Sequence, residues 1–159
     1  STKDAYEHKV TIEWLLNELL PFCSYVDADP EPKIVSLEHV HHLGTEVAGQ
    51  LSSPPCSILE LVNALHPTPA VGGDPQTEAL TIISRVEGID RRRYAGPVGW
   101  LAADGDGEFA VGIRSAEVKA NTAHLYAGVG LVEDSDPQSE LEETEAKFKT
   151  MLNTFLSTT

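Results

Sequence analysis

The chain has few cysteines, few basic residues and no long apolar run, and each shortage argues against a class of function. Among its 159 residues only Cys23 and Cys56 are cysteines, with no CxxC pair, which favours a reduced cytoplasmic setting and disfavours structural zinc. No segment is apolar for long enough to span a membrane, and no secretion signal is visible. Lys and Arg number 11 against 25 Asp and Glu, and the net charge of −14 argues against nucleic acid as a partner.

Hydrophobic periodicity predicts an α/β (α+β) fold, with a mainly antiparallel sheet and helices packed outside it. The predicted helices cover residues 5–20, 57–65, 74–86 and 136–156. The predicted strands cover residues 33–51, as one long or bent strand, and 94–103, 108–119 and 123–132, as an antiparallel meander. Residues 27–32, DADPEP, are expected to form a loop. The hydrophobic content of 41% fits a single globular domain.

The run HPTPAVGG, residues 66–73, joins the two middle helices and is unusually rigid for a connector. Pro67 and Pro69 restrict the backbone, whereas Gly72 and Gly73 allow close approach or a positive φ. Such a run is most often a plain turn. It would also suit an apolar wall against which a flat ligand packs.

Charged residues on the last predicted helix have two interpretations. Glu140, Glu143 and Lys147 are spaced i, i+3 and i+7, so their side chains share one face. The carboxylates would repel each other unless Lys147 or a bound Mg²⁺ lay nearby. Spacing alone favours a solvated surface face here, and it favours the same interpretation for Glu7 on the first helix.

Other polar residues lie in the predicted strands. Arg114, in mid-strand, needs an anionic partner, which could be a ligand carboxylate or a protein Asp or Glu. Gly128 and Gly130 could expose backbone N–H groups to an anion or simply mark a bulge. The HVHH run alternates along its strand, so His42 faces the side opposite to His39.

Taken together in chain order, these motifs resemble the C-terminal half of the chorismate-utilising enzymes, a superfamily of isochorismate, salicylate, anthranilate and aminodeoxychorismate synthases. The resemblance covers nearly the whole chain and rests on KDxxEH (3–8), HL (42–43), HPTPAVGG (66–73), YAGPVGW (94–100), GIRSA (112–116), YAGVGLV (126–132) and SDPQSELEETEAK (135–147). The HPTPAxGG form resembles the isochorismate synthases, because the other branches tend to carry threonine at the position of Ala70. Ala70 therefore implies water as the incoming nucleophile.

By resemblance, the acidic residues Glu7, Glu140 and Glu143 gather a Mg²⁺ cofactor. Through this cation they would hold the ring carboxylate of chorismate, the small-molecule substrate. Lys147 matches a lysine near the metal end of the site. We therefore expect the three carboxylates to converge, although Glu7 lies at the opposite end of the chain from the other two.

The resemblance also assigns the remaining substrate contacts. Tyr94 and Arg114 match positions that hold the enolpyruvyl carboxylate, and Gly128 and Gly130 match backbone donors to the same group. His42 matches a histidine beside the ring. Ala70 and its neighbouring prolines would form an apolar wall against the substrate.

The general base lysine and the general acid glutamate of the family lie in a more N-terminal region and have no counterpart here. Residues 1–159 are thus expected to be the C-terminal portion of a Mg²⁺-dependent isochorismate synthase of menaquinone or siderophore biosynthesis. The missing N-terminal half would be the main partner, and the chain alone is expected to be inactive and to self-associate through sheet edges. The alternatives are a salicylate synthase, another chorismate enzyme, or a non-catalytic anion-binding module.

Overall fold

A computed structural model describes residues 2–36 and 41–156. The helices are α1 (Thr2–Leu19), α2 (Ile58–Leu65), α3 (Pro69–Gly72), α4 (Gln76–Val86) and α5 (Pro137–Leu156). The strands are β1 (Cys23–Ala28), β2 (Lys33–Ser36), β3 (His41–Gly44), β4 (Val47–Leu51), β5 (Pro97–Leu101), β6 (Gly107–Val111), β7 (Ser115–Lys119) and β8 (Thr122–Tyr126). The predicted mixture of helices and antiparallel strands is confirmed.

The four long helices begin and end close to where the sequence predicts. Helix α2 starts at a capping box, in which the Ser57 side chain accepts from the Glu60 amide while the Glu60 carboxylate accepts from the Ser57 amide. Helix α5 starts after Asp136, whose carboxylate accepts from the Ser139 amide at 2.8 Å. The one-turn helix α3, inside the HPTPAVGG run, was not predicted.

The strands are shorter and more numerous than predicted. They form two-stranded antiparallel sheets within the described residues, namely β1–β4, β2–β3, β5–β6 and β7–β8. The prediction of one strand over residues 33–51 is wrong, because this stretch contains three strands, and Lys33 of β2 pairs with Gly44 of β3 in an antiparallel arrangement. Strand β1 also extends into the segment predicted as a loop, where Ala28 pairs with Val47.

The meander prediction is also wrong in its details. The predicted strand over residues 108–119 is broken into β6 and β7, because Arg114 takes a left-handed φ of 48° that a regular strand does not allow. The last predicted strand ends at Tyr126 rather than Val132. Residues 127–132 therefore lie outside regular structure, and they run towards the start of α5.

Few side chains are buried among the described residues, and one of them is charged. Among the residues that the structure describes, Ala95 is the one buried hydrophobic residue and Glu140 is the one buried charged residue. Large apolar side chains lie in solvent, including Ile34, Trp100 and Leu131. No helix within residues 2–36 and 41–156 combines the length and apolar character that crossing a membrane requires.

Candidate active site

The first and last helices of the chain meet at Lys3. The Lys3 ammonium donates a hydrogen bond to the Glu140 carboxylate, and it also lies 3.4 Å from Oε1 of Glu7, one turn along α1. The Asp136 cap sets the start of α5, so Glu140 falls in its first turn. Two of the three predicted metal-binding carboxylates are therefore gathered around one ammonium group, which we call the Lys3 cluster (Lys3, Glu7 and Glu140).

The environment of Glu140 contradicts the solvated-face interpretation. Glu140 is only 7% exposed, because its side chain lies on the inner face of α5. The hydrogen bond from Lys3 is the main cause that holds the pKa of Glu140 below its usual value. Spacing along α5 could not show this burial, since it depends on the contact with α1.

Glu143 lies apart from the Lys3 cluster in its interactions. Its side chain is 46% exposed and pairs with Lys147 at 2.6 Å, as the solvated-face interpretation predicts. Within the described ranges, no group of three or more His, Cys, Asp or Glu side chains is close enough to hold a metal ion. Glu7 and Glu140 thus share a contact with Lys3, whereas Glu143 pairs with Lys147.

Gly128 and Gly130 lie directly against other predicted site residues. A Cβ atom at Gly130 would lie 2.6 Å from Oε2 of Glu7, and one at Gly128 would lie 2.9 Å from the Tyr94 hydroxyl. The Gly128 carbonyl accepts a hydrogen bond of 3.1 Å from Lys147. Glycine is needed at both positions for this close approach. Their role as amide donors to a substrate stays a prediction.

The Tyr94 ring contacts a second aromatic ring and a guanidinium group. Its ring stacks on Tyr126, with centroids 5.3 Å apart and an angle of 17° between the planes. The Arg91 guanidinium lies 5.8 Å from the Tyr94 ring centroid, within the range of a cation–π interaction. Burial raises the pKa of Tyr94, so its hydroxyl stays protonated at neutral pH. Sequence reasoning missed Tyr126, although it opens the YAGVGLV motif.

Arg114 lies in the connection between β6 and β7. Its Nε atom is shielded from solvent and has no hydrogen-bond partner among the described residues. A shielded guanidinium N–H is costly unless an anion approaches it. Among the described residues no carboxylate pairs with Arg114, so a ligand carboxylate and an Asp or Glu elsewhere in the protein both remain open as its partner.

The HPTPAVGG run borders a cavity of about 190 Å³. It is lined by His66, Pro67 and Val71 from this run and by Arg91 and Tyr94 from the segment after α4. Ala70 is exposed on α3, whereas Gly72 is buried against the Pro67 ring. The wall of this cavity is thus formed by other residues of the run than Ala70. Burial lowers the pKa of His66, which favours a neutral imidazole there.

His42 lies on β3, opposite Val35 of β2. Its Nε2 atom is shielded from solvent. His39 lies outside the described residues, so the predicted alternation of the HVHH run is not tested. Lys3 is the residue whose role sequence reasoning missed, although its i, i+4 spacing to Glu7 was a visible signal.

Comparison with known proteins identifies the family. A family model described as chorismate binding enzyme matches residues 1–156. The chain belongs to the chorismate-binding enzyme family. It is similar to two isochorismate synthases of Bacillus subtilis: it is 42% identical to MenF over 95% of the chain and 44% identical to DhbC over 96%.

Solved structures of this family share the fold. DhbC from Bacillus anthracis superposes with a TM-score of 0.93 and 48% identity over 96% of the chain. Anthranilate synthase component I from Streptococcus pneumoniae superposes with a TM-score of 0.84 and 31% identity over 95% of the chain. The chain spans 32% of MenF, 38% of the B. subtilis DhbC and 41% of the B. anthracis DhbC. It thus corresponds to less than half of each isochorismate synthase it matches.

Proposed function

We propose that the natural protein carrying this chain is an isochorismate synthase. The observation that carries the proposal is the extended identity with proteins of that name, which spans nearly the whole chain. The reaction adds water at C2 of chorismate while the C4 hydroxyl leaves as water. A base takes one proton from the attacking water, and an acid gives one to the departing hydroxyl.

The carboxylates proposed to hold Mg²⁺ are Glu7, Glu140 and Glu143, and the first two belong to the Lys3 cluster. Oε1 of Glu7 and Oε2 of Glu140 are shielded from solvent and make no hydrogen bond among the described residues. Mg²⁺ prefers such oxygens and commonly takes only one or two protein carboxylates. When bound, it would supply positive charge for one substrate carboxylate. Glu143 would take part through its second carboxylate oxygen, since Lys147 pairs with Oε1.

Arg114 would bind the second carboxylate of the substrate. A guanidinium can donate two parallel hydrogen bonds to a carboxylate, which sets its orientation as well as its position. Tyr94, with the stacked Tyr126 ring, would form a flat side of the site, and the absence of a side chain at Gly128 and Gly130 lets Tyr94 and Glu7 lie close to this backbone. These groups would bind and orient chorismate, and the proton transfers would fall to residues elsewhere in the protein.

We also propose the cytoplasm as the setting of this enzyme. Cys23 and Cys56 are free and are not paired with each other. Free thiols persist in a reducing compartment.

The test is product analysis with the purified full-length protein, chorismate and Mg²⁺. We expect isochorismate as the main product, resolved by chromatography. Salicylate, or an aminated product when ammonia is supplied, would assign the protein to another branch of the family. No turnover at all would leave an anion-binding protein and would contradict the proposal.

A matched pair of arginine variants tests the substrate site. We expect Arg114→Gln to lower kcat/KM roughly 10- to 100-fold, the range for losing hydrogen bonds from a charged group. Arg85→Gln, on the exposed side of α4, is the control and should leave kcat/KM unchanged. Equal activity of both variants would show that Arg114 does not bind the substrate.

A further inference from the structure

Arg91, in the turn after α4, contacts two of the surfaces that border the cavity beside the HPTPAVGG run. Its Nη1 atom donates a hydrogen bond of 2.8 Å to the carbonyl of Val71, which lies 20 residues earlier in the chain. Its guanidinium also lies 5.8 Å from the centroid of the Tyr94 ring. One side chain therefore joins the backbone of the run to an aromatic ring that is proposed to contact the substrate.

The bond to Val71 satisfies a carbonyl at the end of α3. A helix leaves its last carbonyl groups without partners inside the helix, and a nearby arginine can satisfy one of them. Helix α3 has only four residues, so its position depends strongly on contacts from outside the helix. The Gln76 side chain fixes the start of the run, since its Nε2 atom donates to the Pro67 carbonyl at 3.1 Å.

Glu87 orients the Arg91 guanidinium for these contacts. Its carboxylate accepts a hydrogen bond of 2.7 Å from Nε and a second bond from Nη2, so the pair is bidentate. Glu87 is itself the C-terminal cap of α4, where its amide donates to the Ile83 carbonyl at 3.0 Å. The guanidinium is thus fixed to a helix, and its remaining nitrogen, Nη1, reaches the Val71 carbonyl.

The same carboxylate makes Arg91 a poor binding site for a ligand anion. Its negative charge lies against the guanidinium and opposes the field that would attract a substrate carboxylate. The side chains of Arg91 and Glu87 are 26% and 32% exposed, so water screens this ion pair only in part. Arg91 differs in this respect from Arg114, whose Nε atom has no hydrogen-bond partner among the described residues.

Backbone hydrogen bonds hold the turn that carries Arg91. The Tyr94 amide donates to the Arg91 carbonyl at 2.7 Å, and the Ala95 amide donates to the Gly112 carbonyl at 2.9 Å. The Tyr94 side of the cavity is therefore fixed by its own backbone, and the side-chain bond from Arg91 joins α3 to it.

We propose that Arg91 is a positioning residue of the substrate site, which sets the distance between the HPTPAVGG run and the Tyr94 ring. Glu87 acts with it, because it orients the guanidinium and neutralises its charge. Arg91 itself binds no substrate group. The inference rests on the proposed function, since it concerns two surfaces that are expected to contact chorismate.

Steady-state consumption of chorismate by full-length variants tests the proposal, with circular dichroism to confirm that each variant is folded at the assay temperature. We expect Arg91→Lys and Glu87→Gln each to lower kcat/KM at least roughly tenfold, because a small misplacement of contacting groups can cost about 100-fold. Lysine keeps the charge but lacks the fixed directions of the guanidinium donors. The double variant should lose less than the two single losses combined, because both changes release the same side chain.

Glu87→Gln separates positioning from direct substrate binding. If Arg91 bound a substrate carboxylate, removal of the neighbouring negative charge would leave kcat/KM unchanged or raise it. Glu117→Gln is the matched control, because Glu117 on β7 pairs with the adjacent Arg92 at 2.9 Å. This control should keep the kcat/KM of the wild type. Where Arg91→Lys is unfolded at the assay temperature, Glu87→Gln alone decides.

Hydrogen–deuterium exchange measures the geometry without turnover. We expect faster exchange confined to residues 66–73 in Arg91→Lys and Glu87→Gln, whereas Glu117→Gln should exchange like the wild type. The proposal requires both results. Unchanged exchange of residues 66–73, faster exchange throughout the chain, or an unchanged or raised kcat/KM for Glu87→Gln would overturn it.

The outcome for the proposed function is read separately from the product. A product other than isochorismate would overturn the proposed function and leave this inference standing, because kcat/KM refers to the consumption of chorismate. If the wild type consumes no chorismate, the Kd for chorismate replaces kcat/KM, and weaker binding by both variants supports the inference. No binding of chorismate by the wild type would overturn both.

Discussion

The Lys3 cluster buries a charged side chain, whereas the β5–β6 hairpin exposes apolar side chains. At the cluster a carboxylate, Glu140, is 7% exposed, whereas on the hairpin Trp100 and Val98 are 55% and 61% exposed. Globular proteins usually place apolar residues inside and unpaired charges outside. The comparison teaches that the carboxylate can be buried because the Lys3 ammonium pairs with it, whereas the apolar side chains of the hairpin have no such packing partner among the described residues.

The largest expected effect concerns activity of the chain by itself. A protein limited to residues 1–159 should convert chorismate at least roughly 10⁴-fold more slowly than the full-length enzyme, because general acid and general base each contribute about 10²- to 10⁴-fold. Coupled detection of isochorismate measures this rate. Comparable rates for both proteins would show that the acid and the base lie within these residues.

Paired variants on α5 compare a buried carboxylate with an exposed one. Glu140→Gln should abolish most turnover at limiting Mg²⁺ and should destabilise the protein by about 1–3 kcal/mol, because it removes a charged partner of Lys3. Glu143→Gln should change stability by less than about 0.5 kcal/mol, since its pair with Lys147 is half exposed. Steady-state kinetics and urea unfolding measure both. Similar stability losses for the two variants would show that the burial of Glu140 does not determine its contribution to the free energy of unfolding.

Two glycines allow a comparison of stability alone, namely Gly99 on β5 of the hairpin and Gly88 after α4. A Cβ at Gly99 would lie 2.0 Å from the Glu108 carbonyl oxygen, across the β5–β6 pair. Gly99→Ala should therefore destabilise the protein by about 1–3 kcal/mol or more. Gly88→Ala meets no atom within 4 Å and has only its φ of 64° to accommodate, so it should cost about 1 kcal/mol. Equal unfolding midpoints would contradict this strand pairing.

Exposed apolar side chains should also govern association. We expect residues 1–159 alone to self-associate, and Trp100→Lys to reduce the mass measured by light scattering, because a charge on a strand blocks edge and face contacts. Lys119→Arg keeps both strand position and charge and serves as the control. A wild-type chain that remains monomeric at micromolar concentration would contradict this prediction.

The smallest expected effect is the pH dependence of stability that comes from Glu60, an exposed carboxylate at the start of α2, in contrast to the buried Glu140. The pKa of Glu60 is lowered by hydrogen bonds from the Ser57 amide and hydroxyl. A lowered folded-state pKa stabilises the fold above the unfolded-state value, and this contribution is lost as the pH falls through the folded value. Ser57→Ala should thus lower the melting temperature slightly at pH 7 and less at pH 3. An equal loss at both pH values would show that it comes from the bond between the Glu60 amide and the Ser57 hydroxyl oxygen rather than from the Glu60 carboxylate.

Helices and local motifs could be predicted from the sequence, whereas contacts between distant residues could not. Hydrophobic periodicity is a local signal and gave the helix bounds closely, and the Ser57 and Asp136 caps lie at two of the predicted helix starts. The strand breaks depended on the left-handed backbone of Arg114 and on the pairing of Lys33 with Gly44, which no local period reveals.

The candidate site divides in the same way. Its residues could be named from motif spacing, and the meeting of Glu7 with Glu140 was expected from the resemblance. The ammonium of Lys3 between them, the burial of Glu140 and the engagement of Glu143 by Lys147 were not expected. Each of these depends on which face of a helix packs inward, and mixed charges on a helix leave that choice open.

Diffraction from the full-length protein with Mn²⁺ in place of Mg²⁺ would test the central claim most directly. The account predicts one anomalous peak beside the carboxylates that are expected to hold the cation, namely Glu7, Glu140 and Glu143 on the first and last helices. A fully occupied peak elsewhere in the protein, with none beside these carboxylates, would contradict the account.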